Sequence, residues 1–328
     1  MGASMSGMKS GLRSGVRSGW RSGLRSGLTR AGGDALLRRS PAQVWFARRA
    51  RVRLAVLGYH GISDPQRFAD QLDRLRRTAR PVSLDDVEDA IARRRALPER
   101  AVLLTFDDGE RSILEHGLPL LKERGIPGVA YVVASVLGTD TPFWWHEVEH
   151  HVFAGARVAG EPERTASGWL GHLKSIPHRE RLALLARLRE GRKPLLTPQL
   201  TAAELGVLES GGVRVEHHSL THPLLDRCPD DVVRAEIVDA HERLTAVLGR
   251  APRSFAYPNG NWDARAEQLL TDLDYRTAFL FDHRLGPRLP EHPLRISRLR
   301  VGSNTGPDRF ATIVSGLHPA VHALRGGR

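Results

Sequence analysis

Residues 101–109, Ala-Val-Leu-Leu-Thr-Phe-Asp-Asp-Gly, constrain this chain more than any other stretch, because an apolar run ends abruptly in two adjacent carboxylates and a glycine. Four to six apolar residues bounded by turn signals read as a buried strand. In α/β folds the carboxyl ends of such strands are where ligands and catalysis sit. Neighbouring strand residues point to opposite sides, so Asp107 and Asp108 need not share a role. One can bind a metal while the other takes a proton. The same aspartates would also suit a helix N-cap, where a carboxylate satisfies orphan amides, and these nine residues alone leave both readings open.

The flanking pattern alternates strand with helix. A first strand over 54–57 leads to His60 in a Gly-rich turn, and a helix carrying Phe68, Leu72 and Leu75 on one face follows Asp64-Pro65. Ser83-Leu84-Asp85-Asp86 caps a second helix over 87–95. Beyond Gly109 come a helix over 113–124 stopped by Gly125 and Pro127, a strand over 129–134, a capped helix over 201–208 and a short strand over 213–215. Such alternation predicts parallel β-structure covered by helices, as a barrel or a doubly wound sheet. Residues 139–200, with Trp144, Trp145, Trp169, several histidines and a helical run over 179–189, lack strand alternation and read as an inserted cap beside the active face. The folded body spans 51–318, and residues 319–328 read as a flexible C-terminus.

The net charge of +12 looks like a nucleic-acid signal until it is divided along the chain. Residues 1–53 hold twelve basic side chains against the single acid Asp34, a surplus of +11, which leaves +1 for everything else. The body therefore lacks a basic nucleic-acid groove, and no nucleic-acid partner is expected. The tail, residues 1–50, carries a Ser-Gly-Leu/Val/Trp-Arg repeat over 10–25. Glycine at every fourth position costs roughly 1 kcal/mol each against helix, so the tail reads as disordered. Leu12, Val16, Trp20, Leu24 and Leu28 nevertheless recur every four residues, a spacing that would let the tail touch an anionic membrane or polymer. No apolar run approaches the ~18 residues of a membrane span or forms a clear signal peptide, which leaves the location open, with a cytoplasmic or membrane-peripheral one slightly favoured. Cys228 is the sole cysteine, so a cysteine-rich zinc site is excluded; it reads as an apolar filler.

The 213–215 strand ends in Glu216-His217-His218-Ser219-Leu220-Thr221-His222-Pro223. His218 and His222 are four apart, which on a helical turn brings both imidazoles to one face. Two histidines and one carboxylate make a three-ligand set with a position open for water, as catalytic zinc sites have, and Asp108 can supply the carboxylate. His217, His146, His150 and His151 read as solvated, while His60 points either to the pocket or into a structural turn.

Thr105-Phe106-Asp107-Asp108-Gly109 together with His218-Ser219-Leu220-Thr221-His222-Pro223 resembles the first two motifs of the polysaccharide deacetylases, carbohydrate esterase family 4 or NodB homology domain. Tyr59-His60, Gly125-Ile126-Pro127, Glu236, Glu242 to Leu244 and Phe255-Ala256-Tyr257-Pro258-Asn259-Gly260 fall where that family has similar segments, so the resemblance covers about residues 54–301. It implies a distorted (β/α) barrel and a hydrolase that removes acetyl groups from N-acetylated, or occasionally O-acetylated, sugars of a polysaccharide or glycoconjugate. It also implies a divalent metal, zinc before cobalt, nickel or manganese, held by Asp108, His218 and His222. Asp107 would be the general base and the backbone of Asn259 an oxyanion donor. Tyr257, Pro258, Trp145 and Trp262 are the implied substrate contacts.

Departures from the family pattern matter. Ala256 stands where many members have an arginine that orients the catalytic aspartate, a change shared with a subgroup resembling exopolysaccharide deacetylases; Arg298 is the candidate to serve the site instead. Glu110 replaces a more usual aromatic residue. The late general-acid histidine is not recognisable; His283 and His292 are nearby candidates, and each also reads as a surface residue of a Pro- and Arg-rich loop. A deacetylase of a small acetylated metabolite, or a non-catalytic carbohydrate-binding or membrane-associated scaffold, are the alternatives.

Overall fold

The computed structural model describes residues 32–325, so the repeat over 10–25 lies outside the described residues. Nine strands follow in chain order: β1 (Arg53–Tyr59), β2 (Arg80–Pro81), β3 (Ala101–Phe106), β4 (Gly128–Val132), β5 (Val213–His217), β6 (Ser254–Ala256), β7 (Thr277–Phe279), β8 (Gly286–Pro287) and β9 (Leu299–Arg300). All six residues of β3 and all five of β4 are buried. That is the signature of parallel strands covered on both faces, which read as apolar runs rather than alternations. β1, β3, β4, β5, β6 and β7 lie side by side in parallel register. Residues 296–300 join the two edges of this curled sheet: Ile296 bridges Phe279 of β7, and Leu299 pairs with Leu57 of β1. The fold is a distorted (β/α) barrel.

Alternation along the strands divides the core into two layers. Val56, Leu103, Val129, Tyr131, Ala256 and Phe279 point into the barrel, whose base is plugged by Leu84, Val87 and Ala90 of the Leu84–Ala92 helix. Leu57, Phe106, Val132 and Val215 point outward against Phe68 and Leu72 of the Pro65–Thr78 helix. Each such side chain contributes about 1.5–3 kcal/mol on burial. The Ser83–Asp86 and Thr201–Glu204 capping boxes fix the starts of two helices. The helix expected over 113–124 opens with a π-turn, Ile113–Gly117, before the α-helix Leu118–Arg124. Pro119 has no N–H to give Glu115, so the ladder widens there.

Residues 139–200 contain three helices, Trp144–Phe153, Ala166–Ser175 and His178–Arg189, which share a small core of Trp144, Val148, Trp169, Leu173, Leu185 and Leu188. Two terminal expectations need correction. Within the supposed tail, residues 41–50 form a helix in which Gln43 is buried and accepts a hydrogen bond from Ser315. No glycine falls between Gly33 and Gly58, and tertiary packing supplies the rest. The supposed flexible C-terminus is largely the Leu317–Leu324 helix, whose Leu317 and Pro319 are buried. No described helix is long and apolar enough to cross a membrane.

Candidate active site

β3 delivers Asp107 and Asp108 to the carboxyl end of the barrel, both about 3% exposed. Asp107 is tied to the neighbouring strand by its N–H, which donates to Tyr59 O at 2.9 Å. Its carboxylate receives two hydrogen bonds from Arg298, at 2.6 and 2.8 Å. Arg298 is fully buried in the closing segment, where it also donates to Leu280 O and Thr105 Oγ1. Along 296–300 the odd-even alternation turns Ile296 and Arg298 inward and Leu299 outward. The guanidinium thus reaches from the barrel wall the aspartate that Ala256 cannot orient. Burial pushes the Asp107 carboxyl up, but the charges of Arg298 and His218 outweigh it and hold the group below the usual carboxylate range.

Asp108 adopts a positive φ of 72°. That turns its carboxylate away from Asp107 and toward two imidazoles: Oδ1 lies 3.4 Å from His218 Nε2 and 3.5 Å from His222 Nε2. One ligand atom from each of Asp108, His218 and His222 falls within 4.8 Å of the others. His218 points its Nε2 inward because Nδ1 donates to Ala256 O at 2.8 Å. Asp108 Oδ1 is buried with no hydrogen-bond partner among the described residues. An unpartnered buried carboxylate oxygen between two imidazoles is costly unless a cation occupies the gap, so the donor set fits a divalent metal. Burial drives the His222 imidazole down to about 3, which keeps it neutral and its lone pairs available.

His218 and His222 are not on a helical turn. They flank a loop in which Ser219 and His222 both have positive φ. Glu236 shapes that loop by accepting the N–H groups of Leu220 and Thr221. It sits on the Asp230–Leu248 helix among Val233, Ile237, Ala240 and Leu244. An acid within an apolar stripe is a signal the sequence carried. The inserted helices brace the other side: Trp144 Nε1 donates to His222 O, and the Trp145 ring lies 4.6 Å from the His222 ring.

A cavity of about 1220 Å³ opens over these groups. Trp145, Asn259 and Gly260 line it with Asp107, Asp108, His218 and His222. Asn259 has a φ of 57°, and its Oδ1 accepts a hydrogen bond from Lys174 at 3.0 Å. Gly260 has a φ of 81°, and a Cβ there would lie 2.4 Å from the backbone nitrogen of Phe281; only glycine fits. Lys174, Phe281 and Arg300 also line the cavity and were not foreseen, since chain folding alone brings them there.

Other expected contacts fall elsewhere. Tyr257 is fully buried in the outer layer with its hydroxyl on Leu294 O, because strand parity sends it to the side opposite Ala256. Pro258 is buried and outside the cavity lining. Trp262 is 40% exposed but stacks under Arg295 and donates to Glu267, away from the cavity. His217 is buried rather than solvated, its Nδ1 paired with Tyr275, again by parity with His218. His151 is buried too. His60 stands 4.0 Å from Asp108. His292 is exposed, whereas His283 is buried in the cavity wall, accepting from Arg300 N and paired with His318. Cys228 is buried, with its thiol pushed up to about 12 by burial.

Residues 94–278 match the polysaccharide deacetylase family. The chain belongs to that family. Among solved structures of the same fold is the Streptococcus pyogenes deacetylase PplD in complex with acetate, 17% identical, with a TM-score of 0.57 over 80% of this chain and 99% of that one. IcaB from Ammonifex degensii is 22% identical, with a TM-score of 0.55 over 80% and 97%. A de-N-acetylase from Aggregatibacter actinomycetemcomitans is 16% identical, with a TM-score of 0.56 over 80% and 99%. No curated protein matches the chain. Deacetylation is the activity this family membership supports, and hydrolysis of an acetyl group is the reaction class.

Proposed function

We propose that the chain is a metal-dependent hydrolase that removes acetyl groups from N-acetylated sugars. The observation that carries this reading is the juxtaposition of Asp107, held by Arg298, with the Asp108, His218 and His222 donor set on one cavity floor. A divalent cation bound by that set, zinc first, supplies Lewis-acid polarisation of the acetyl carbonyl and acidifies water. Arg298 keeps Asp107 ionised and fixes the direction of its free lone pairs. Asp107 takes a proton from the attacking water and returns it to the departing amine nitrogen, so that acetate and a free amine result. The backbone N–H of Asn259 donates to the developing oxyanion, and Trp145 packs against the sugar face. His283 contributes no proton, because both its ring nitrogens are engaged and burial pushes it down to about 4.

The basic N-terminal segment is proposed to rest on an anionic membrane or polymer, a role supported by exposed Val44, Trp45, Arg48 and Arg49. To test the hydrolase, acetate release from N-acetylglucosamine oligomers and acetylated monosaccharides is measured after chelation and after zinc or cobalt add-back. Chelation abolishes release, add-back restores it, and Asp107→Asn loses it by about 10³-fold or more while still binding one metal per chain. Stoichiometric metal with no turnover on any substrate favours a carbohydrate-binding scaffold.

A further inference from the structure

The cavity is far from neutral. Beyond the donor set it is lined by Arg49, Arg53, Lys174, Arg284 and Arg300. Among the described residues none of these five has a carboxylate within salt-bridge distance, and all five face one cavity. The undescribed residues 1–31 contain no aspartate or glutamate that could serve. The acids of the cavity offset the group only in part: Asp107 belongs to Arg298, Asp108 faces the two histidines while also drawing on Lys174, and Asp282, which draws on Arg300, is left against five cations.

Unpaired cations gathered around one cavity repel each other and are retained at a cost. Burial lowers the Lys174 ammonium from its ordinary value; the Asp108 carboxylate opposes that shift and the charge of Arg300 adds to it. A neutral oligosaccharide repays none of that cost. Arg300 is positioned rather than loose, since its Nε donates to Phe281 O at 2.7 Å and its guanidinium lies 5.3 Å from that ring. The five come from the Pro41–Ala50 helix, β1, the Ala166–Ser175 helix, the loop after β7 and β9, so they surround a volume rather than decorate one element. Guanidinium groups converging on a cavity match phosphate oxygens in geometry and charge.

Resting on the hydrolase reading above, we infer that the substrate is an acetamido sugar bearing phosphate, whose anionic group lies along Lys174, Arg300, Arg284 and Arg49 while the acetyl group meets Asp107. Two sources share this chemistry, a nucleotide-diphosphate sugar and a lipid diphosphate sugar. Two apolar side chains, Trp45 and Phe46, also line the cavity. Val44 and Trp45 are 56% and 55% exposed, as a lipid-linked source would use.

The test compares kcat/KM of the zinc-loaded enzyme on three acetylated substrates. These are a neutral N-acetylglucosamine tetramer, uridine-diphosphate N-acetylglucosamine, and polyprenyl-diphosphate N-acetylglucosamine in phosphatidylglycerol vesicles. Binding of uridine-diphosphate glucose, which has no acetyl group, is followed by calorimetry. One phosphorylated sugar is expected to exceed the tetramer at least tenfold, and which one identifies the source. In Arg49→Gln/Arg284→Gln, whose exposed side chains make no hydrogen bond among the described residues, the phosphorylated-to-neutral ratio falls about a hundredfold, mostly through KM, with an unchanged melting temperature. A tetramer turned over as well as either phosphorylated sugar overturns the inference. If no substrate releases acetate but uridine-diphosphate glucose or the phosphorylated lipid still binds and the double variant abolishes it, the hydrolase reading fails and the phosphate groove stands.

Discussion

Arg298 shows how one side chain can carry both stability and chemistry. It is fully buried and its partner nearly so, and removing one member of a buried ion pair leaves the other charged and unsolvated, a loss of about 3–5 kcal/mol. Arg298→Met is expected to lower the unfolding midpoint by about 5–10 °C and to abolish acetate release. Arg298→Lys separates the two roles. It keeps the charge but makes one contact where the fork makes two, so it should restore much of the stability while leaving kcat reduced about 10–100-fold; full activity in the lysine variant would refute the positioning role. The residue was legible as a candidate only because Ala256 breaks the family pattern. Asp107, Asp108, His218 and His222 were legible because each motif is local in sequence. Tyr257 and His217 were misplaced for one reason: the strand parity that would send them outward is set by neighbours across the sheet, which a single sequence does not display.

At the scale of elements, the helix Ala202–Ser210 is the clearest case of local chemistry set down in advance. Thr201 and Glu204 cap it reciprocally, and Glu204 also receives Arg111, three residues beyond Asp108, at 2.7 and 3.0 Å. The Arg111 hydrogen bonds, then the Thr201 amide, pull the Glu204 carboxyl down to about 2. A carboxyl depressed on folding stabilises above its unfolded pKa, and that contribution disappears as pH falls through the folded value. Glu204→Gln should therefore cost about 1 kcal/mol at pH 7, with the gap to wild type closing between about pH 4 and pH 2 in chemical denaturation; a pH-independent gap would show that the carboxylate charge is not the source. The capping box was visible in the sequence, but the Arg111 bridge was not, since it joins segments 93 residues apart.

For the whole molecule, the terminal helices are part of the barrel's support. Asp34 pairs with Arg309, Gln43 accepts from Ser315, and Phe46 lies 3.9 Å from where a Cβ on Gly316 would stand. A chain beginning at residue 51 should melt about 5 °C below one beginning at residue 32, as followed by circular dichroism; equal midpoints would mean that this packing contributes nothing. Composition alone suggested a loose end here, because short helices are decided by what they pack against rather than by propensity.

Closure of the ring by residues 296–300 has a temporal meaning as well. Asp107 waits 191 positions along the chain for the guanidinium that completes it. During synthesis the aspartate strand emerges early, but its counter-charge follows only 191 residues later. Contacts of such long separation form late, so the Asp107–Arg298 pair is assembled by the same event that seals the barrel. On the proposed mechanism, hydrolytic competence would therefore report a sealed barrel.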